Sequence, residues 1–257
     1  MKAFSFISIA ACLLAASAVA QNGAPASKPI PRAADGKPDL SGIWQALGVS
    51  LTGETPTPAP APAGAGRGPR EAPPYKPELL AKVRALVADP AHSPSARCLL
   101  LGVPAITMNP MPLEIVQTPK KTVILYEVMR AFRIIPSDGR SHPADLDPSY
   151  MGDSVAHWEG DTFVVDVTGF NDKTWLDGAG HFHSEALHVV ERYTRTKEEN
   201  LHYEAMIEDP GAYAKPWTVG WNVKWIPGWE LYEYICQENN KDVVIENHMV
   251  GAGSKAK

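Results

Sequence analysis

The 257-residue chain is poor in cysteine, with three, and in clustered basic charge, and beyond residue 20 it lacks long apolar runs. Each shortage excludes something. No stretch after residue 20 approaches the ~18 uninterrupted apolar residues of a membrane helix, so none is expected there. With 24 Lys+Arg against 29 Asp+Glu and a net charge of −5, the chain is mildly acidic without a basic cluster, which argues against nucleic acid or an anionic membrane as partner. No G-x-S-x-G offers a nucleophile elbow, and no C-x-x-C spacing offers a metal or redox thiol pair.

Residues 1–20 have the form of a secretory signal. Lys2 precedes an apolar run, and Ala18-Val19-Ala20 forms an A-x-A cleavage site before Gln21. The expectation is export to the periplasm or the extracellular space. Cleavage after Ala20 removes Lys2, taking the net charge from −5 to −6, and leaves two cysteines, Cys98 and Cys236. Two is the number that makes one bridge in an oxidising compartment.

Five further segments and the domain that holds three of them set the organisation expected. Residues 21–37 are polar and form a mobile leader, and 48–76 are rich in Pro, Ala and Gly and form an insert. Residues 77–89 place Leu79, Leu80, Val83, Leu86 and Val87 at helical spacing between prolines, giving one amphipathic helix. A short tail, 251–257, ends the chain, and 38–250 form a single barrel domain. Cys98 to Pro112, broken by Pro and Gly, reads as an extended cover without helix.

What is abundant is strand signal. Leu113–Gln117, Thr122–Glu127, Met129–Ile135, Ser154–Trp158, Thr162–Val167, Leu187–Arg195, Leu201–Glu208, Trp217–Ile226 and Glu230–Cys236 are runs of β-formers separated by turn residues. Trp217, Val219, Trp221, Val223 and Trp225 alternate strictly with smaller or polar residues. Such a series with almost no helix predicts a mainly β, antiparallel barrel or sandwich. A five-residue connection over 196–200 sets Arg195 opposite Leu201, Arg192 opposite Glu204 and His188 opposite Glu208, with the charged pairs on one face.

PDLSGIW at 38–44, WEGDTFVVDVTGFND at 158–172 and HSEALHVVERY at 183–193 together resemble a large family of secreted proteins of environmental bacteria, a likeness that brings no activity with it. Gly42-x-Trp44 is also similar to the G-x-W element that opens lipocalins and related calycin barrels. That resemblance implies a calycin-like barrel with Trp44 plugging one end.

The candidate site centres on the stretch 152–195. Gly, Asn and Asp around Phe170 and Trp175 make an ordered loop that delivers His181, His183, Glu185 and His188. Glu191 stands alone on an apolar strand face, where burial makes an acid or a base unless an arginine such as Arg130 or Arg133 reaches it. His142, Asp166, His183 and Glu191 are therefore the acid/base candidates at the barrel mouth, with Glu191 and Asp166 the nominal carboxylate pair. Asn171, Trp175, Trp217, Trp221 and Tyr126 are the ligand-contacting candidates, with plain core packing as the alternative for the tryptophans. His181, His183 and His188 are the residues that would hold a metal, although no cofactor is required by the pattern. The functions left open are cofactor-free acid/base catalysis (a lyase, isomerase or hydrolase step) on a partly apolar small molecule, non-catalytic binding of such a molecule, and metal-dependent catalysis.

Overall fold

The computed structural model describes residues 28–47, 72–88 and 90–238, with two further short strands at 244–245 and 248–249. The expected signal (1–20), residues 21–27 of the leader, 48–71 of the insert and the tail 251–257 lie outside the described residues.

Nine strands form one sheet: β1 Gly42–Ala46, β2 Leu113–Thr118, β3 Lys121–Tyr126, β4 Phe132–Pro136, β5 Asp153–Glu159, β6 Thr162–Thr168, β7 His188–Lys197, β8 Asn200–Glu208 and β9 Trp217–Trp225. Their order is β4-β3-β2-β1-β9-β8-β7-β6-β5, each neighbour antiparallel to the next. The sheet rolls into a nearly closed barrel, consistent with a calycin-like architecture.

Alternation decides which side chains face inward. Trp44, Ile115, Ile124, Ile135, Phe163, Val165, Val189, Tyr193, Tyr203, Val219 and Trp221 point into the barrel and are buried. Two-residue turns set the registers. Gly160 adopts φ +60° between Glu159 and Thr162, closing the β5–β6 hairpin with Trp158 opposite Phe163. Between β7 and β8 only Glu198 and Glu199 remain in the turn, because the strands run to Lys197 and Asn200. An irregularity between Arg195 and Lys197 absorbs the difference, so His188, Arg192 and Arg195 face Glu208, Glu204 and Leu201 as expected.

Trp44 is buried at the turn end of the barrel, and its indole donates to Leu40 O at 2.9 Å. Gly42 is required on two counts: its φ is +120°, and a Cβ there would meet Trp225 Nε1 at 2.8 Å. The Arg195 guanidinium lies 5.0 Å from the Trp44 ring and 5.6 Å from that of Trp225, and it donates to the carbonyls of Asp39 and Glu198. Arg195 therefore faces inward, not with the charged pairs outside: it is four residues from Glu191 and shares its side of the strand.

Eight successive antiparallel pairings bring β5 back to the direction of β4. An odd-stranded ring forces one such parallel pair, and no ladder joins β4 to β5 among the described residues. The connection 137–152 accordingly climbs the outside of the barrel from the turn end to the loop end.

Several segments depart from the sequence pattern. Residues 28–37 do not hang free, since Arg32 makes a forked pair with Asp161 at 2.6 and 2.7 Å. The helix splits into a 3-10 turn, Pro77–Leu79, and α1, Leu80–Ala88, with Leu79, Val83 and Leu86 half-buried against the core. The supposedly extended cover contains a buried one-turn helix, α2, Ala105–Met108. β4 starts at Phe132, because Met129 and Arg130 take left-handed conformations. Glu230–Cys236 is not a strand: β1 already occupies the free side of β9. The Cys98–Cys236 disulfide is formed, over a sequence separation of 138.

Candidate functional site

The loop end is built by residues 169–187, α2 and the turns at 73–76 and 209–213. Gly102, at φ +73°, lets Thr174 approach to 2.6 Å of where a Cβ would stand. The Thr174 hydroxyl then lies 2.7 Å from His183 Nε2, while His183 Nδ1 donates to Ser184 O at 2.9 Å. A carbonyl only accepts, so Nδ1 carries the ring proton, and in the neutral imidazole that burial favours Nε2 accepts a hydrogen bond from the Thr174 hydroxyl. Burial holds its pKa below the usual histidine value. Asp209 fixes the adjacent turn by accepting from Ser184 N, Ser184 Oγ and Gly211 N at 2.6, 2.6 and 2.8 Å.

Asp177 accepts from Ala179 N at 2.9 Å and pairs with His181 Nδ1 at 2.8 Å, a contact four residues apart across a turn. Beside it opens a pocket of about 220 Å³. Trp175, Leu101 and Met108 give it apolar walls, and Asp177, Asn109 and Ser95 line it with polar groups. Asn171, earlier in the same loop, accepts from Lys173 N through its side-chain oxygen at 3.1 Å.

A second cluster lies on the outer barrel wall. His142, carried up by the 137–152 connection, places Nδ1 2.6 Å from Asp153 and Nε2 2.9 Å from Asp166. The other Asp166 oxygen is 2.9 Å from His188 Nε2, and His188 Nδ1 is 3.8 Å from Glu208. Burial disfavours the His142 imidazolium, but the two carboxylates outweigh it and raise its pKa. Burial also opposes the Asp166 carboxylate, yet the bonds from His188 and His142 hold its pKa below the usual range.

The sign of the pH effect follows from linkage. The His142 contribution is full below the unfolded imidazole value of about 6.5 and is lost as pH rises through the higher folded value. The Asp166 contribution is present above about 3.9 and lost as pH falls through its lower folded value. The melting-temperature gap between the wild type and His142→Asn should therefore be widest just below the unfolded imidazole value of about 6.5 and shrink as pH rises above it, in thermal melts at each pH. A gap that stays constant over that range would remove the charge from this account.

Glu191 occupies a third place. It is fully buried inside the barrel, where Arg133 donates to both of its oxygens at 3.1 and 2.6 Å, and Tyr193 and Tyr203 each donate to Oε1 at 2.9 Å. The Arg133 guanidinium also reaches Ser154 Oγ at 2.9 Å. It thus joins β4 to β5 from inside, across the seam where no ladder runs. Burial, and then the Glu191 charge, push both tyrosine pKa values well up, so neither phenol ionises.

The four acid/base candidates are therefore not one constellation. Only His142 and Asp166 meet; His183 is buried at the loop end, and Glu191 faces inward where Asp166 faces outward. Tyr126 is buried, 3.4 Å from Thr107 Oγ1. Trp217 and Trp221 pack in the core with Tyr213 and Tyr203, each indole N–H buried without a hydrogen-bond partner. Trp175 alone of the ligand candidates lines the pocket. The three metal candidates diverge, with His181 on Asp177, His183 on Thr174 and His188 on Asp166, and no group of three or more ligating side chains occurs among the described residues. The sequence reading missed Asp153, Asp177 and Arg133's second bond. Of these only Asp177, at i,i+4 from His181, had a local signal. Comparison with family models, curated proteins and solved structures returns no match.

Proposed function

We propose that this is an exported protein that binds a small, partly apolar molecule in the Trp175 pocket at the loop end of the barrel. The observation that carries the reading is the pocket's composition: Trp175, Leu101 and Met108 for an apolar body, Asp177 and Asn109 for a polar end. Asp177 is prefixed by Ala179 and His181, and its oxygens keep lone pairs for a ligand N–H or O–H. At about 220 Å³ the space is below the roughly 300 to 1,000 Å³ of drug-sized sites, which suits a single-ring compound with a hydroxyl or amino group. A β-barrel is compatible with such binding, and the disulfide is compatible with export.

The test is a fluorescence and thermal-shift screen of phenols, anilines and benzyl alcohols. A compound that binds wild type should lose at least about tenfold in affinity against Leu101→Trp, which fills the pocket without removing a polar contact. Binding unchanged in that variant would place the site elsewhere.

Cofactor-free acid/base chemistry is a second reading, favoured by Asp166 bonding two imidazoles at once. Under it, Asp166→Asn abolishes turnover while leaving affinity at the Trp175 pocket unchanged.

A further inference from the structure

The two halves of the barrel wall differ on the outside. On β5 to β9 the outward positions carry His157, Asp166, Arg192, Glu204, His202 and Lys224. On β2 to β4 the middle outward positions are Val116, Val123, Leu125, Phe132 and Ile134, with Glu114, Thr118 and Lys121 towards the strand ends, so the centre of this wall is apolar on both faces. Val116 is 41%, Phe132 63% and Ile134 54% exposed. Registers make them one patch: Val116 is opposite Val123, Val123 opposite Ile134, and Leu125 opposite Phe132. Tyr232 extends it across a groove shared with Phe132 and Leu125. Strands apolar on both faces are those that something covers.

The charges around the patch say what that is. Glu114 faces outward at the loop end of β2, and Lys121 faces outward at the turn end of β3. Neither has an ion-pair partner among the described residues. Opposite charges at opposite ends of an apolar patch are self-complementary under a two-fold rotation, which sets each end of one copy against the other end of its mate. An anionic membrane is a poor match for a chain of net charge −5, and the exposed wall is not a peptide-sized cleft.

We propose that the outer face of β2 to β4 is a two-fold interface between two copies of this chain. Val116, Phe132 and Ile134 form its centre, and Glu114 of each copy meets Lys121 of the other.

Sedimentation equilibrium of the full chain from roughly 1 to 100 μM tests it. The wild type should be a dimer whose dissociation constant rises at least about tenfold in Ile134→Glu, with the melting temperature of dilute samples unchanged. Lys121→Glu should weaken it as well, and Glu114→Lys with Lys121→Glu should restore it, which a folding defect would not do. A wild type monomeric throughout overturns the proposal, and co-sedimentation of that monomer with phosphatidylcholine vesicles would hand the patch to a membrane. A dimer indifferent to all three variants also overturns it.

Discussion

Replacing Arg133 with methionine will lower the unfolding free energy by about 3 to 5 kcal/mol, because it strands the Glu191 carboxylate in the barrel interior without its cation. For a chain of this size that is a fall of roughly 6 to 20 °C in melting temperature. The loss has two parts. The buried charge loses its partner, and the seam loses its inner tie to Ser154. Arg133→Met with Glu191→Gln removes both charges and keeps an amide oxygen for the Tyr193 and Tyr203 hydroxyls. It should recover more than half of the lost stability, since an absent buried pair costs far less than a broken one. Chemical denaturation of the three proteins checks this. A single variant within about 1 kcal/mol of wild type would show that the pair does not hold the barrel.

Removing the disulfide has an effect of similar size and different origin. Cys98→Ser with Cys236→Ser opens a loop that contains β2 through β9, the bridged positions being separated by 138 in sequence. The chain-entropy model puts the loss at about 5 kcal/mol, acting mainly through the unfolded state. The barrel does not need the bridge for its geometry, as its ladders are complete without it. The segment after β9 depends on it more. Ile226 N bonds Ile43 O and Tyr232 N bonds Glu127, but no strand forms beyond Trp225 up to residue 238. Limited proteolysis should therefore cut the double variant within 227–238 well before the barrel, while the oxidised wild type resists. Equal cleavage rates would mean that packing alone holds the segment.

Much of the barrel was legible because strand faces follow a period of two. The β5–β6 and β7–β8 pairings came from turn position and parity alone, and a miscounted turn did no harm once a bulge absorbed it. Arg195 shows the limit of that reasoning. Its charge suggests solvent, but parity with Glu191 sets it inside, where Trp44 and Trp225 cover the guanidinium and carbonyls satisfy it. Glu230–Cys236 failed in the opposite way. Its alternating aromatics suit a strand, but a strand needs a free edge, and pairing of β9 with β1 leaves none there. The candidate site was legible only in pieces. Trp175 and its loop were marked by turn residues. The meeting of His142 with Asp166 depends on where 137–152 crosses the wall, and the partner of Glu191 depends on closure of the barrel. Both are long-range facts that no local spacing encodes.

The parallel seam also sets an order of folding and of opening. β5 to β9 are a run of neighbouring hairpins that can form early, whereas Trp44 must find Trp225 across most of the chain. Closure at β1–β9 is then the late event. In the native state the easiest excursion is different: β4 has a ladder to β3 alone, and side chains hold its other side. In the monomer its backbone amides should exchange with solvent soonest among the nine strands, and those of β7 and β8 last. The barrel behaves as a rolled sheet with a latch, and the interior, with its unpartnered indole donors, is reached by releasing Arg133 rather than by tearing a ladder.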